Sequence, residues 1–187
     1  MLLPWGNTTI LGHLISQWQR LGSAQVVLVH GPGVELEPEL QRLKFSLNQR
    51  IENRAPERGM FSSIQCAADW SGWKKGFTHW AIVLGDQPHL HESTLRDLID
   101  LAREHPGQVC QPQWKGRPKH PVILPALVFA KLQSSGHSDL KAFLKANAPE
   151  IALLQSDDSG LEWDIDYPAD YKRLKPIFKA GIDRTAE

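Results

Sequence analysis

An aspartate in this sequence follows a short apolar run and lies between a glycine and a proline. The stretch reads "AIVLGDQPHL" over residues 81–90, and the acid is Asp86. Gly, Asp and Pro are all turn residues, so one interpretation is a strand that ends in a turn. The other is a ligand-facing carboxylate at the carboxyl end of a central parallel strand, where open α/β sheets bind substrates.

Two further acids lie near the end of the chain, in "WDIDYPADY" over residues 163–171. If this segment is extended, its period of two sends Asp164 and Asp166 to the same side. Two carboxylates on one face repel each other unless a cation or a donor neutralises them. The alternative is that one of them, Asp166 above all, caps a helix that starts near Pro168.

A loop that opens a helix is indicated by "NRAPERGMFSSI", residues 53–64. Gly59, Ser62 and Ser63 lie where the helix would begin, and helix N-termini present free N–H groups that suit anions or the edge of a base. Ordinary helix capping by one of the serines is the alternative for this segment alone.

A basic cluster precedes a strand in "GRPKHPVILP", residues 116–125. Arg117, Lys119 and His120 could meet a phosphate there, or they could be side chains of a solvated turn. A separate possibility is a zinc site made by Asp86, His89 and His91, because both imidazole and carboxylate bind zinc. Histidines in turns are usually just solvated, which makes the zinc site the less favoured interpretation.

The composition limits the class of protein. The 187 residues contain 21 Lys plus Arg and 21 Asp plus Glu, so a long nucleic-acid groove, which shows as a basic excess, is not expected. A nucleotide is still possible, since a few backbone N–H groups can hold its phosphates. The start of the chain is a poor signal peptide and no apolar stretch has membrane-spanning length. These features predict a cytoplasmic protein that contacts neither nucleic acid nor a membrane.

Helix and strand patterns alternate along the chain, which predicts an α/β domain with a parallel or mixed sheet and helices on both faces. A helix with Ile10, Leu14, Trp18 and Leu21 on one face follows the cap candidates Asn7 and Thr8 and closes at Gly22. The apolar runs at 24–31 and 79–86 predict strands that are buried on both faces. The other expected elements are helices at 36–48, 59–70, 92–105, 126–134, 138–146 and 168–180, and strands at 108–114, 120–126 and 150–156. The whole of 1–187 is expected to be one domain.

Taken together, "NRAPERGMFSSI", "GDQP", "GRPKHPV" and "DIDYPADY" resemble, in order and spacing, the MobA-like nucleotidyltransferases. The closer likeness is to the branch that transfers a cytidine nucleotide to molybdopterin, and it runs from about Leu2 to Leu174. The resemblance implies a three-layer, Rossmann-like fold of the nucleotide-diphospho-sugar transferase type, with a mostly parallel sheet. It also implies a transfer in which a phosphate of the acceptor attacks the α-phosphorus of the nucleotide and pyrophosphate leaves.

The resemblance also implies roles for individual residues. Asp86 and Asp166 would be the catalytic carboxylates that bind Mg²⁺. The nucleotide, with CTP favoured over GTP, would lie near the loop residues Asn53, Gly59, Ser62 and Ser63. A molybdopterin-type acceptor would lie near Gly116, His120 and Pro121, and a molybdoenzyme is the expected protein partner.

The sequence departs from this family pattern in three places. Relatives carry a first strand and a glycine-rich loop of the LAAGxSxRMGxxK type before "LLPWG", and these are not in the 187 residues. "SSGHSDLKAF" replaces a GDxGAR-like stretch, where Asp139 could replace the acid but the arginine is missing, and Tyr167 replaces a threonine. We therefore expect a gap in the sheet and weak binding of triphosphates. A non-catalytic binding protein or chaperone of the molybdenum cofactor pathway is the alternative function.

Overall fold

The computed structural model describes residues 1–33, 35–148 and 150–184, with side chains up to residue 176. In chain order the elements are β1 (Pro4–Trp5), β2 (Thr8–Thr9), α1 (Ile10–Arg20), β3 (Leu28–His30), α2 (Glu37–Arg42), β4 (Arg50–Glu52), α3 (Met60–Asp69), β5 (His79–Ile82), α4 (Glu92–Glu104), β6 (Val109–Trp114), β7 (Arg117–Pro118), β8 (Val122–Pro125), α5 (Ala126–Ala130), α6 (Leu140–Asn147), β9 (Ile151–Gln155) and α7 (Pro168–Arg184). None of the helices in the described part is both long and apolar enough to cross a bilayer.

The largest sheet has the order β5-β8-β6-β7, with β9 paired to β6. The β6–β9 ladder is parallel, whereas β8 runs antiparallel to both β5 and β6. Strands β3 and β4 form a separate parallel pair, and β1 and β2 a short antiparallel one. The α/β class is confirmed, and the structure refines the mostly parallel sheet of the prediction to a mixed one.

Helices pack on both faces of the largest sheet, as successive residues of β8 show. Val122 and Leu124 belong to a core cluster with Phe61 of α3 and Phe143 of α6. Ile123, between them, belongs instead to a cluster with α4. Alternate residues of a strand point to opposite faces, so this strand is apolar on both sides and carries a helical layer on each. The layered arrangement predicted from the alternating pattern is therefore observed.

The strands predicted at 24–31 and 79–86 are shorter and more exposed than expected. All three residues of β3 are only half-buried, and Ala81 of β5 is exposed. The prediction that both runs are buried on two faces is wrong. Among the described residues β3 pairs only with β4, and β5 pairs only with β8, so each has an edge without a neighbouring strand. The expected gap in the sheet lies at these edges, and β5 ends its sheet rather than lying at its centre.

Several helix predictions need adjustment at their ends, and the helix predicted at 126–134, for example, ends at Ala130. The N-cap of α1 is Thr9, whose hydroxyl accepts from the Gly12 N–H at 3.0 Å, rather than Asn7 or Thr8. Gly22 closes this helix as predicted, with φ of 88° and its N–H donated to the Gln19 carbonyl. Helix α2 ends at Arg42 instead of continuing to residue 48.

Candidate active site

Asp86 and Asp166 line one cavity of about 380 Å³. Asp86 lies in the turn that follows β5, and its carbonyl oxygen accepts a hydrogen bond of 3.0 Å from the N–H of Ile165. Asp166 directly follows Ile165 in the chain, so this bond also brings Asp166 to the cavity that Asp86 lines. The cavity is lined by Met1, Leu3, Ile10, Gly85, Asp86, Ile165, Asp166, Tyr167 and Pro168. The structure thus brings together the two acids that the sequence separates by 80 positions.

The Asp86 carboxylate is in an unfavourable place for a bare charge. Its Oδ1 is buried and has no hydrogen-bond partner in the described residues. Burial raises the pKa of Asp86, and the negative charges of Asp164 and then Asp166 raise it further. A bound cation would supply the charge and the ligand contact that this oxygen lacks.

The carboxylate of Asp166 is exposed and makes no hydrogen bond or ion pair within the described part of the chain. It does not cap α7. The N–H of Tyr167, just before that helix, instead bonds to the carboxylate of Asp170 at 3.0 Å. Helix capping, the alternative considered for Asp166, is therefore supplied by another acid, and Asp166 is left to face the cavity.

Asp164, the other acid of "DID", has a partner of its own. The side-chain amide of Gln87 donates a hydrogen bond of 2.7 Å to its Oδ1. Residues 163–166 form no strand in the structure, so the extended geometry assumed for this segment is not what orients the acids. The hydrogen bonds from the Ile165 N–H to Asp86 and from the Gln87 amide to Asp164 orient this segment instead.

Oxygen donors of this kind suit Mg²⁺, which usually takes one or two carboxylates and completes its shell with water and substrate phosphates. Among the side chains that the structure describes, in residues 1–33, 35–148 and 150–176, no group of three or more His, Cys, Asp and Glu is arranged to hold a metal. A cation here would therefore rest on Asp86 and Asp166, with the remaining ligands from outside the protein. The buried Oδ1 of Asp86, which has no hydrogen-bond partner in the described part of the chain, fits such an ion.

The four loop residues predicted near the nucleotide form one hydrogen-bonded unit. Asn53 is 2% exposed, and its amide donates to the hydroxyls of Ser62 at 2.8 Å and Ser63 at 3.0 Å. Its Oδ1 accepts from the N–H of Ala55, and Ser62 donates to the carbonyl of Gly59 at 2.7 Å. Gly59 has φ of 86° and is the residue before α3. Asn53 thus fixes the loop against the start of that helix.

The residues predicted on the acceptor side fall into two groups. Gly116, with φ of 75°, and Lys115, with φ of 47°, form the two-residue turn between β6 and β7. Positive φ at both positions is the type I′ geometry of a tight hairpin, so Gly116 has a clear turn role. His120 and Pro121 lie just before β8. Burial lowers the pKa of His120, and the nearby Ile82 carbonyl and the charge of Asp164 partly oppose this effect.

The basic cluster at 115–119 has an acidic neighbour within the protein. Lys119 Nζ lies 3.0 Å from an oxygen of Glu162. The hydrogen bond from Lys119, together with the positive charges of Lys119, Arg117 and Lys115, lowers the pKa of Glu162. Lys119 is therefore already paired, and Arg117 and Lys115 are the exposed cations of this turn.

The zinc interpretation is not supported by the positions of the histidines. His89 is 8% exposed and its Nε2 lies 3.0 Å from the carbonyl of Gly160. The His91 ring is exposed and lies near Asp158, not Asp86. Sequence reasoning missed Asp158, a buried acid that accepts hydrogen bonds from the segment after Asp86. It also missed the role of Gln87 as the partner of Asp164, although the position of Gln87 next to Asp86 could have indicated it.

Comparisons with known proteins identify the family of the chain. The family model of the MobA-like NTP transferase domain matches residues 1–151. No curated protein matches the chain.

Solved structures share the fold. Rv0371c from Mycobacterium tuberculosis, in complex with manganese, is 24% identical with a TM-score of 0.63 and coverage of 94% of this chain and 90% of the other. Molybdopterin-guanine dinucleotide biosynthesis protein A from Archaeoglobus fulgidus is 13% identical, with a TM-score of 0.64 and coverage of 96% and 90%. The 2-C-methyl-D-erythritol 4-phosphate cytidylyltransferase from Thermus thermophilus is 15% identical, with a TM-score of 0.66 and coverage of 95% and 93%. The fold is thus that of the nucleotide-diphospho-sugar transferase type, and the chain belongs to the MobA-like NTP transferase family.

Proposed function

We propose that this chain is a metal-dependent nucleotidyltransferase that joins a cytidine nucleotide to a phosphorylated pterin acceptor. The observation that carries the proposal is that Asp86 and Asp166 line one cavity and that Oδ1 of Asp86 is buried with no hydrogen-bond partner among the described residues. The manganese in the solved structure of Rv0371c supports a divalent ion in this fold. The order of the sequence motifs supports the cytidylyltransferase branch.

In this reaction, a phosphate oxygen of the acceptor forms a bond to the α-phosphorus of CTP, and the bond from that phosphorus to the pyrophosphate oxygen breaks. Mg²⁺, when bound, neutralises the phosphate charge and orients the triphosphate. Asp86 and Asp166 would hold the ion by their carboxylate oxygens. The Asn53 loop would position the base and ribose, and no protein nucleophile is required.

The acceptor would lie toward His120 and the turn at 115–119. The lowered pKa of His120 keeps its ring neutral, so it would bind by hydrogen bonding rather than as a cation. Arg117 and Lys115 would supply the positive charge that a phosphorylated acceptor needs on that side. A protein that receives the finished cofactor is the partner we expect.

Binding of CTP and GTP to the 187-residue chain, with Mg²⁺ or with EDTA, tests the proposal by calorimetry. We expect weak binding that needs Mg²⁺ and favours CTP, because no glycine-rich loop within these residues holds the triphosphate. Asp86→Asn and Asp166→Asn should each weaken it by about tenfold or more. The control is Asp97→Asn, an exposed acid on α4. Equal binding of CTP in Mg²⁺ and in EDTA would contradict the metal site.

Release of pyrophosphate from CTP and molybdopterin tests the transfer itself. We expect slow release that Asp86→Asn and Asp166→Asn abolish. Rapid release, at the order of 10 s⁻¹ that is typical of enzymes, would show that another segment holds the triphosphate. Tight binding of molybdopterin without any release of pyrophosphate would favour the alternative function, a carrier or chaperone of the cofactor.

A further inference from the structure

Asp158 is a buried acid that lies outside the cavity and that the proposed chemistry does not use. Its side chain is 2% exposed. Its Oδ2 accepts from the N–H of His91 at 2.9 Å and from the hydroxyl of Thr94 at 3.0 Å, and its Oδ1 accepts from the N–H of Gly160 at 2.8 Å. A buried carboxylate with this many donors is satisfied without a cation, so Asp158 is not itself a metal ligand.

The bonds of Asp158 form one end of a longer array. Residues 86–94 and residues 158–165, which we call the paired segments, are joined in antiparallel order. The Asp86 carbonyl bonds to the Ile165 N–H, the Gln87 amide bonds to Asp164, and the His89 ring lies against the Gly160 carbonyl. The Asp158 bonds follow at the far end.

The two cavity acids lie at the end of this array that is farther from Asp158. Asp86 begins one paired segment, and Asp166 directly follows the other. Regular strand pairing does not hold these segments together, since neither is a strand over these residues. Their separation therefore depends on the individual bonds of the array. Asp158 supplies the bonds that join the second segment to the start of α4.

Close packing around Asp158 leaves little space for another arrangement. A Cβ at Gly160 would lie 2.9 Å from Asp158 Oδ1 and 3.1 Å from a ring carbon of His89. Only a glycine therefore lets the backbone at 160 approach both side chains. The array is packed as well as hydrogen-bonded at this end.

We propose that Asp158 is a positioning residue that sets the separation of Asp86 and Asp166, and so the affinity of the site for a divalent cation. The inference rests on the proposed function for what the two acids bind, but the array itself is independent of it. In Asp158→Asn one carboxylate oxygen becomes an NH2 donor, so the His91 N–H, the Thr94 hydroxyl and the Gly160 N–H would share a single acceptor oxygen. The paired segments would then separate more readily, and the two cavity acids would lose their fixed spacing.

The test uses the whole chain and two readouts. Hydrogen exchange of the Ile165 amide reports on the array, and a titration with Mn²⁺ alone reports on the cavity. The variants are Asp158→Asn and the milder Thr94→Val, which removes one donor and keeps the carboxylate. Asp157→Asn is the matched control, because it removes the same charge from an exposed neighbouring residue. Exchange of amides in the β6–β9 ladder shows whether a variant unfolds as a whole.

We expect Ile165 to exchange faster and Mn²⁺ to bind about tenfold more weakly in Asp158→Asn, with smaller changes of both kinds in Thr94→Val. Amides of β9 and the control variant should behave as in the wild type. Unchanged exchange at Ile165, or faster exchange with unchanged Mn²⁺ affinity, would overturn the positioning role. A wild-type chain that binds no Mn²⁺ would instead overturn the proposed function, and the positioning role with it.

Discussion

The N–H of Ile165 donates a hydrogen bond to the carbonyl oxygen of Asp86 at 3.0 Å, and this bond joins the two acidic segments of the chain. Ile165 lies between Asp164 and Asp166, so the bond has an acid on either side. One of these acids bonds to Gln87 and the other lines the cavity. On either side of this bond, Asp164 therefore has a structural role, whereas Asp166 lies at a cavity that can bind a cation.

Asp86→Asn should stabilise the protein near pH 7 when no divalent cation is present. Because its pKa is raised in the folded state, the charged form of Asp86 destabilises the fold, and this loss grows as the pH rises through that raised pKa. The variant removes the charge and should raise the Tm measured at pH 7 in EDTA. The gain should vanish below pH 3.8, the ordinary pKa of the group, where the wild-type acid is protonated. A lower Tm at pH 7 would contradict the unfavourable environment of Asp86.

Acidification should destabilise the protein through His13 of α1. Burial, and then the charge of Arg20, lower the pKa of His13 from 6.5 to about 4. The unfolded chain therefore binds this proton at a higher pH than the folded one, and stability is lost as the pH falls from 6.5 toward 4. His13→Gln should make the free energy of unfolding less dependent on pH in this window. Urea unfolding at several pH values checks this, and NMR titration of the His13 ring that gives an ordinary pKa would refute it.

Asn53→Ala should destabilise the protein and weaken nucleotide binding together. The substitution leaves the Ala55 N–H without its acceptor and removes the donor to Ser62 and Ser63, at a cost of about 1–3 kcal/mol for a buried group. Thermal unfolding measures the first effect, and titration with CTP in Mg²⁺ measures the second. Asn48→Ala, at an exposed position, is the control. Loss of stability with unchanged CTP affinity would place the nucleotide away from this loop.

Two substitutions at Gly116 test whether this residue only forms the turn or also contacts the acceptor. Gly116→Val should lower stability by about 1–2 kcal/mol, because a left-handed conformation is costly for a branched side chain, whereas Gly116→Asn should cost less. Thermal unfolding of both variants measures this difference. If Asn preserves stability but removes binding of the acceptor, Gly116 approaches the ligand as well as forming the turn.

The elements that were predicted well are those whose signals are local. The helix at 92–104 and the strands β6 and β8 follow from apolar periodicity and from residues that favour strands. The exposure of β3 and β5 could not be predicted from their apolar runs, because it depends on which strands are neighbours in space. A run of apolar residues indicates a strand but not whether both its edges are paired.

The site shows the same division between local and distant information. Asp86 could be proposed as a site residue because it follows an apolar run. The resemblance of the sequence to the family added Asp166 as the second carboxylate. The task of Asp158 could not be predicted, since its donors at His91 and Thr94 lie 67 and 64 positions away in the sequence. "SDDSG" has the composition of a solvated loop, and only the fold shows that its second acid is buried.

The unpaired edges of β3 and β5 also have a mechanical consequence. The β3–β4 pair and the sheet containing β5 share no backbone ladder in the described residues, and Val29 and Ile82 meet through the same side-chain cluster instead. Sliding of packed side chains costs less than breaking backbone hydrogen bonds, and it is the basis of shear movements. The loop that Asn53 fixes follows β4 of the β3–β4 pair, and the turn that contains Asp86 follows β5. The two halves of the site therefore stand on pieces that side-chain packing, rather than a backbone ladder, joins in the described residues, which is the kind of contact that shear movements use.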